Sequence, residues 1–232
     1  MPTSEETTIT SQTVQSLLGR QLNDIEIRYA PNPLYVRGTM KIPVPSPRVS
    51  IVGSRKASST GLFEAELMAK KLAERNVVIV SGLAQGIDTA AHKAAMAAGG
   101  KTIAVLGTPL DKTYPHTNLA LQQEIMRHHL AISQFQIGLP TRPQHFVVRN
   151  RTMALISDVT IIIEASDRSG SLHQGWEAIR LGRPLFISKS ILNTPGLYKA
   201  KSMLEYGAME LNDPTEVLEF LPSSLEMLDI LL

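Results

Sequence analysis

Short apolar, β-branched runs recur along this chain, and stretches of helical periodicity separate them. The runs are Val49-Ser50-Ile51-Val52-Gly53, Val77-Val78-Ile79-Val80, Thr102 to Leu106, Leu130 to Gln134, Val159 to Ile163 and Pro184 to Ile187. Runs this short and this apolar read as strands buried on both faces. Between them lie Gly61 to Arg75, with Leu62, Leu67, Met68 and Leu72 on one face, and the alanine-rich Ala90 to Ala98. Further helices are expected over Leu119 to His128, from about Arg149 to Ile156, and over Leu172 to Leu181, which Gly182 stops. Strands alternating with helices predict an α/β fold, a doubly wound and mostly parallel sheet with helices on both faces.

The pattern is weaker before Arg48. Thr10 to Gly19 predicts a short helix with Val14, Leu17 and Leu18 on one face. Asn23 to Tyr29 alternates Ile25 and Ile27 with charged neighbours and reads as a strand or extended segment. Ala30-Pro31-Asn32-Pro33 is a turn, Leu34-Tyr35-Val36 a short strand ended by Gly38, and Lys41 to Arg48 a proline-rich connector. A three-part organisation follows: a lead-in over 1–47, a wound domain over 48–221, and an apolar tail over 222–232. Leu221, at its boundary, and Leu225, Leu228, Leu231 and Leu232 within it have the spacing of core cover or an oligomer contact.

Composition narrows the chemistry. With 232 residues, 43% hydrophobic and 19% charged, the chain can bury a sizeable core. The net charge of +2 is small, so any surface for a polyanion must be a local concentration of Lys and Arg. The absence of cysteine excludes disulfides, thiolate catalysis and cysteine-ligated zinc. No basic region followed by an apolar one opens the sequence, and no apolar run is long enough for a bilayer. A cytoplasmic protein without a membrane partner is expected.

The chemistry-bearing residues gather where strands pass into helices. These turns are Gly53-Ser54-Arg55, Ser81 to Asp88, Gly107 to Tyr114 and Ser169-Gly170-Ser171. In an open parallel sheet ligands bind outside the strands' carboxyl ends, and the N–H groups of a helix's first turn favour an anion. Gly82 and Gly86 would free the backbone and admit a ligand close to it. Neither G-x-G-x-x-G nor G-x-x-x-x-G-K-[ST] is present, so no nucleotide cofactor is expected. Arg149-Asn150-Arg151, read as a basic helix start, suits phosphate contact, with Phe146 or His145 beside it to stack on a base. Asp88 and His92, four residues apart, read as a turn-satisfying carboxylate and its imidazole partner rather than metal ligands. Glu164 stands equally as a base or sugar ligand and as an acceptor for N–H groups of its own loop. No catalytic or metal residue is assigned.

Several of these stretches together resemble the DprA/Smf family. They are Pro33 to Gly38, Ile51 to Arg55, Ser81 to His92, Thr102 to Gly107, Tyr114-Pro115, Phe146 to Arg151 and Ser169 to Leu172, in that order. The resemblance runs from roughly Pro31 to Ala208. It implies a Rossmann-like domain and a non-enzymatic protein that binds single-stranded DNA during DNA processing, uptake or recombination. It also implies a homodimer and the RecA recombinase as a further partner. The DNA-binding positions carried over are Gly53, Ser54, Arg55, Ser81, Gly82, Ala84, Gly86, Asp88, Phe146, Arg149, Asn150, Arg151, Ser169, Gly170 and Ser171. Ser133-Gln134 and His173-Gln174-Gly175 depart from the family's usual Ser-Glu and Thr-Ala. The competing expectation is a nucleotide sensor or phosphoribohydrolase-like relative, although Asp167 to Trp176 lacks the hydrolases' glycine-rich motif.

Overall fold

The computed structural model describes residues 8–167, 169–194 and 197–222. The lead-in forms β1 (Thr10–Gln12), α1 (Val14–Leu18), α2 (Asp24–Tyr29) and β2 (Leu34–Gly38). The wound part follows with β3 (Arg48–Val52), α3 (Ser59–Ala73), β4 (Val78–Ser81), α4 (Ile87–Ala97), β5 (Thr102–Leu106), α5 (Leu119–His128) and β6 (Leu130–Ser133). Then come α6 (Pro143–Ile156), β7 (Val159–Ile162), α7 (Gly170–Arg180), β8 (Leu185–Ser188), α8 (Lys189–Leu192), α9 (Tyr198–Ser202) and β9 (Met209–Leu211).

All of these strands lie in one sheet, in the order β1-β2-β6-β5-β4-β3-β7-β8-β9. Pairing is parallel from β6 through β9, while β1 and β2 add antiparallel strands beyond β6. The α/β, mostly parallel reading therefore holds. β3 is flanked by β4 and β7, so the winding reverses there and opens a crevice at the strands' carboxyl ends. α3 and α4 cover one face over Val49, Ile51, Ile79 and Ile161. On the other face α6 and α7 pack over Val52, Val80 and Ile162, joined by Val14, Leu17, Leu34 and Val36 of the lead-in.

Three local expectations are corrected. Asn23 to Tyr29 is a helix: Asn23 Oδ1 accepts the Glu26 N–H, and the Glu26 side chain accepts the Asn23 N–H. This reciprocal cap outweighs the apparent alternation, and Ile25 and Ile27 are in fact exposed. Within Thr10 to Gly19 only Val14–Leu18 is helical, capped by Thr13, while Thr10–Gln12 pairs with β2. α6 starts at Pro143, where proline suits the first helical position, so Arg149 lies in the second turn and not at a helix start. Of the expected apolar stripe, Leu221 packs against the cluster under α3 and α4, while Leu225, Leu228, Leu231 and Leu232 lie outside the described residues.

The Glu26–Arg183 ion pair ties the lead-in to the sheet end opposite the crevice. Buried Glu26 takes Arg20 at 2.6 Å and also takes Arg183, which precedes β8. Beside it Arg48, at the start of β3, pairs with Asp158 at 3.0 Å, just before β7.

Candidate nucleic-acid interface

The turns after β3, β4, β5 and β7 meet under α6 around a cleft of about 890 Å³. α6 reaches this edge because β6 sends the chain back across the sheet toward β7. Of the positions predicted from sequence, Gly53, Ser54, Arg55, Ala84, Asp88, Phe146, Arg149, Asn150, Ser169, Gly170 and Ser171 line this cleft. Gly82 lines a 50 Å³ side cavity that Tyr114, Phe146 and Arg149 share. The amino ends of α4, α6 and α7 open here without a side-chain cap on their N–H groups. Lys56, Arg142 and Tyr114 also line the cleft, and none of the three is among the DNA-binding positions expected from the sequence. Lys56 directly follows Arg55, and Arg142-Pro143 carries the helix-start signal that would have placed its guanidinium at the rim. Among the described residues the lining sets Arg55, Lys56, Arg142 and Arg149 against one carboxylate, Asp88.

The four cations differ in role. Arg55, Lys56 and Arg142 are exposed, whereas Arg149 is buried. Arg149 Nη1 donates to Gly82 O at 2.5 Å and Val105 O at 2.6 Å, and its Nε donates to Asn150 Oδ1 at 3.0 Å. Asn150 in turn donates to Gly170 O at 3.0 Å. One Arg-Asn pair on α6 thus ties the turns of β4, β5 and β7 together. Burial lowers the Arg149 pKa to about 10, against the pull of nearby Asp88, so the guanidinium stays charged at neutral pH.

The glycines accommodate these side chains more than they admit a ligand. A Cβ on Gly82 would stand 2.2 Å from Arg149 Nη1, and one on Gly107 would stand 2.5 Å from the Phe146 ring. Of the two glycines expected to free the backbone, Gly86 has a positive φ, 75°, whereas Gly82 does not and Leu83 beside it takes φ 58°. Gly86 also lies against Ser54 O, 2.2 Å from where a Cβ would be. Ser81 is fully buried and donates to Ile51 O at 2.7 Å, so it supports the rim from behind.

Asp88 accepts the N–H groups of Gly82 at 3.1 Å and Ala84 at 3.3 Å. Burial raises its pKa, and the Arg149 charge and those two N–H groups oppose the rise. His92 does not pair with Asp88. Its Nδ1 lies 2.7 Å from Thr102 Oγ1, whose own proton goes to Ile79 O, so Nδ1 carries the imidazole proton. Burial lowers the His92 pKa to about 3 and keeps the ring neutral. Glu164 accepts the Ser58 N–H and Oγ–H at the start of α3, so its hydrogen bonds cross to the turn after β3 and do not go to its own loop as expected. Arg151 is separated from the cleft: it pairs with buried Glu177 at 3.1 Å and covers the Tyr29 ring at 4.7 Å.

Residues 15–222 match the family model described as DNA recombination-mediator protein A. The chain is 45% identical over 169 residues to DNA processing protein DprA of Streptococcus pneumoniae, covering 72% of this chain and 59% of that protein. It is 35% identical over 199 residues to protein Smf of Escherichia coli, covering 85% of this chain and 53% of that one. The chain therefore spans between half and two thirds of the length of these relatives. The S. pneumoniae DprA structure superposes with a TM-score of 0.76 at 35% identity, covering 95% of this chain and 76% of that chain. A Helicobacter pylori DNA processing protein A structure, which addresses that protein's single-stranded DNA binding mode, superposes at 0.77 with 26% identity, covering 94% and 97%. Molybdenum cofactor carrier proteins, 18% identical at a TM-score of 0.54, share the fold alone.

Proposed function

Because the chain belongs to the DNA recombination-mediator protein A (DprA/Smf) family, we propose that it binds single-stranded DNA in the cleft under α6. The observation that carries this reading is the excess of cations over carboxylate among the described lining residues, beside uncapped helix amino ends. Arg55, Lys56 and Arg142 neutralise successive phosphates, while the first-turn N–H groups of α7 donate to another. Arg149 and Asn150 shape the rim, and Arg151 supports α6 through Glu177. Phosphate contacts carry no base information, so sequence preference is slight. The role is binding rather than turnover by kinship with the family, and Glu164 holds the start of α3 through Ser58. Loading of a RecA-type recombinase, pairing into homodimers and a cytoplasmic location complete the proposal by kinship with the family.

Titration of a labelled oligonucleotide at several salt concentrations tests the cleft. Arg55→Ala weakens binding and reduces the log–log salt slope by roughly 0.7 per lost phosphate contact. Affinity and slope equal to the parent's would remove the site from this rim. Displacement of the strand by a mononucleotide at comparable concentration would favour a nucleotide sensor. Light scattering checks the homodimer, and a monomer at micromolar concentration would refute it.

A further inference from the structure

Resting on that reading, we propose that Tyr114 is the base-stacking residue of the cleft, with Phe146 as its support. The sequence assigns stacking to Phe146, but that ring is half-buried and already flanked. One side lies so close to Gly107 that no Cβ fits between them. The Arg55 guanidinium stands over the ring, 5.8 Å from its centroid. Tyr114 packs against Phe146 at 5.2 Å and 53° and remains 52% exposed, facing both the cleft and its side cavity.

The loop that presents Tyr114 is held from several directions. Thr108 Oγ1 donates to Lys112 O at 2.9 Å, and Gln122 Nε2 donates to Leu110 O at 3.3 Å and Lys112 O at 3.1 Å. Lys112 Nζ reaches across to Leu139 O at 3.0 Å. A ring carried by a loop held in this way and packed against Phe146 loses less freedom when a base settles on it than one on a loose loop. Arg55 and Tyr114 flank the same phenylalanine, so a phosphate cation and a free aromatic ring are offered side by side, as one nucleotide of an unpaired strand requires.

The test is a cycle of protein and ligand changes, read by anisotropy with a labelled oligothymidylate and the same strand carrying abasic sites. The parent binds the abasic strand more weakly. Tyr114→Ala lowers affinity for the thymidylate roughly 5- to 100-fold, leaves the salt slope unchanged and binds both strands alike. Tyr114→Phe retains the parent's affinity. Tyr114→Trp, made with Trp176→Phe to remove the chain's one native indole, shows emission quenched on saturation and reads stacking even if the alanine variant does not fold. Parent-like thymidylate binding by Tyr114→Ala, or unquenched emission at saturation, overturns the role of Tyr114 alone. A parent that binds no oligonucleotide overturns the DNA-binding reading as well.

Discussion

Arg149 and Arg55 both line the cleft, yet their substitution should have opposite signatures. Arg149 is buried on two backbone carbonyls, with Asp88 as its nearby countercharge. Arg149→Ala therefore leaves carbonyls and a carboxylate without their partner, at a cost of roughly 3–5 kcal/mol. Urea denaturation should show this loss, whereas Arg55→Ala, which removes an exposed side chain, should leave the midpoint almost unmoved. His92 gives a prediction in pH. Its pKa is 6.5 in the unfolded chain and about 3 in the fold, so below pH 6.5 only the unfolded state takes up the proton. Stability contributed by the neutral ring is complete above pH 6.5 and declines toward pH 3, by at most about 1.4 kcal/mol per unit. His92→Asn, whose amide can replace the Nδ1 donor to Thr102, should flatten that part of the stability–pH curve. An unchanged curve would show that the imidazole does not control the acid limb.

Among the elements, the wound strands were legible because burial on both faces leaves uninterrupted apolar runs. α2 was not, because its isoleucines face solvent and its one buried side chain is charged Glu26. The better signal was the Asn23-to-Glu26 spacing, which is local and independent of burial. The turns of the cleft were legible as glycine-rich junctions, but their purpose was not. Arg149 meets Gly82 across 67 residues and Val105 across 44, and no local pattern encodes such a contact. The entry to α4 tests the new assignment. Gly86 has φ 75° and ψ −126°, and a Cβ there would meet Ser54 O at 2.2 Å. Gly86→Ala should cost more than the roughly 1 kcal/mol gained or lost by ordinary helix-end changes, because strain and a backbone clash coincide. Thermal melting reads that cost, and a melting temperature equal to the parent's would show that the turn can relax.

At the scale of the whole molecule, the lead-in and the wound domain share one sheet and one core. β2 pairs with β6, and Val14, Leu17 and Leu34 are buried in the cluster that also holds Val80 and Ile162. The Glu26–Arg183 ion pair lies at the opposite end from the cleft, and none of the lead-in's described residues lines that cleft. A single cooperative unfolding transition is expected, and differential scanning calorimetry should find calorimetric and van't Hoff enthalpies equal. The antiparallel strand laid on β6 has a further effect. β6 is Leu130-Ala131-Ile132-Ser133, buried throughout and apolar but for Ser133, and β2 occupies the hydrogen-bonding edge it would otherwise present. A chain begun at Arg48 would expose that edge as an open template, and another copy could add a strand to it. The lead-in thus acts as a guard against edge-to-edge aggregation, holding in solution a sheet that would otherwise recruit its own kind.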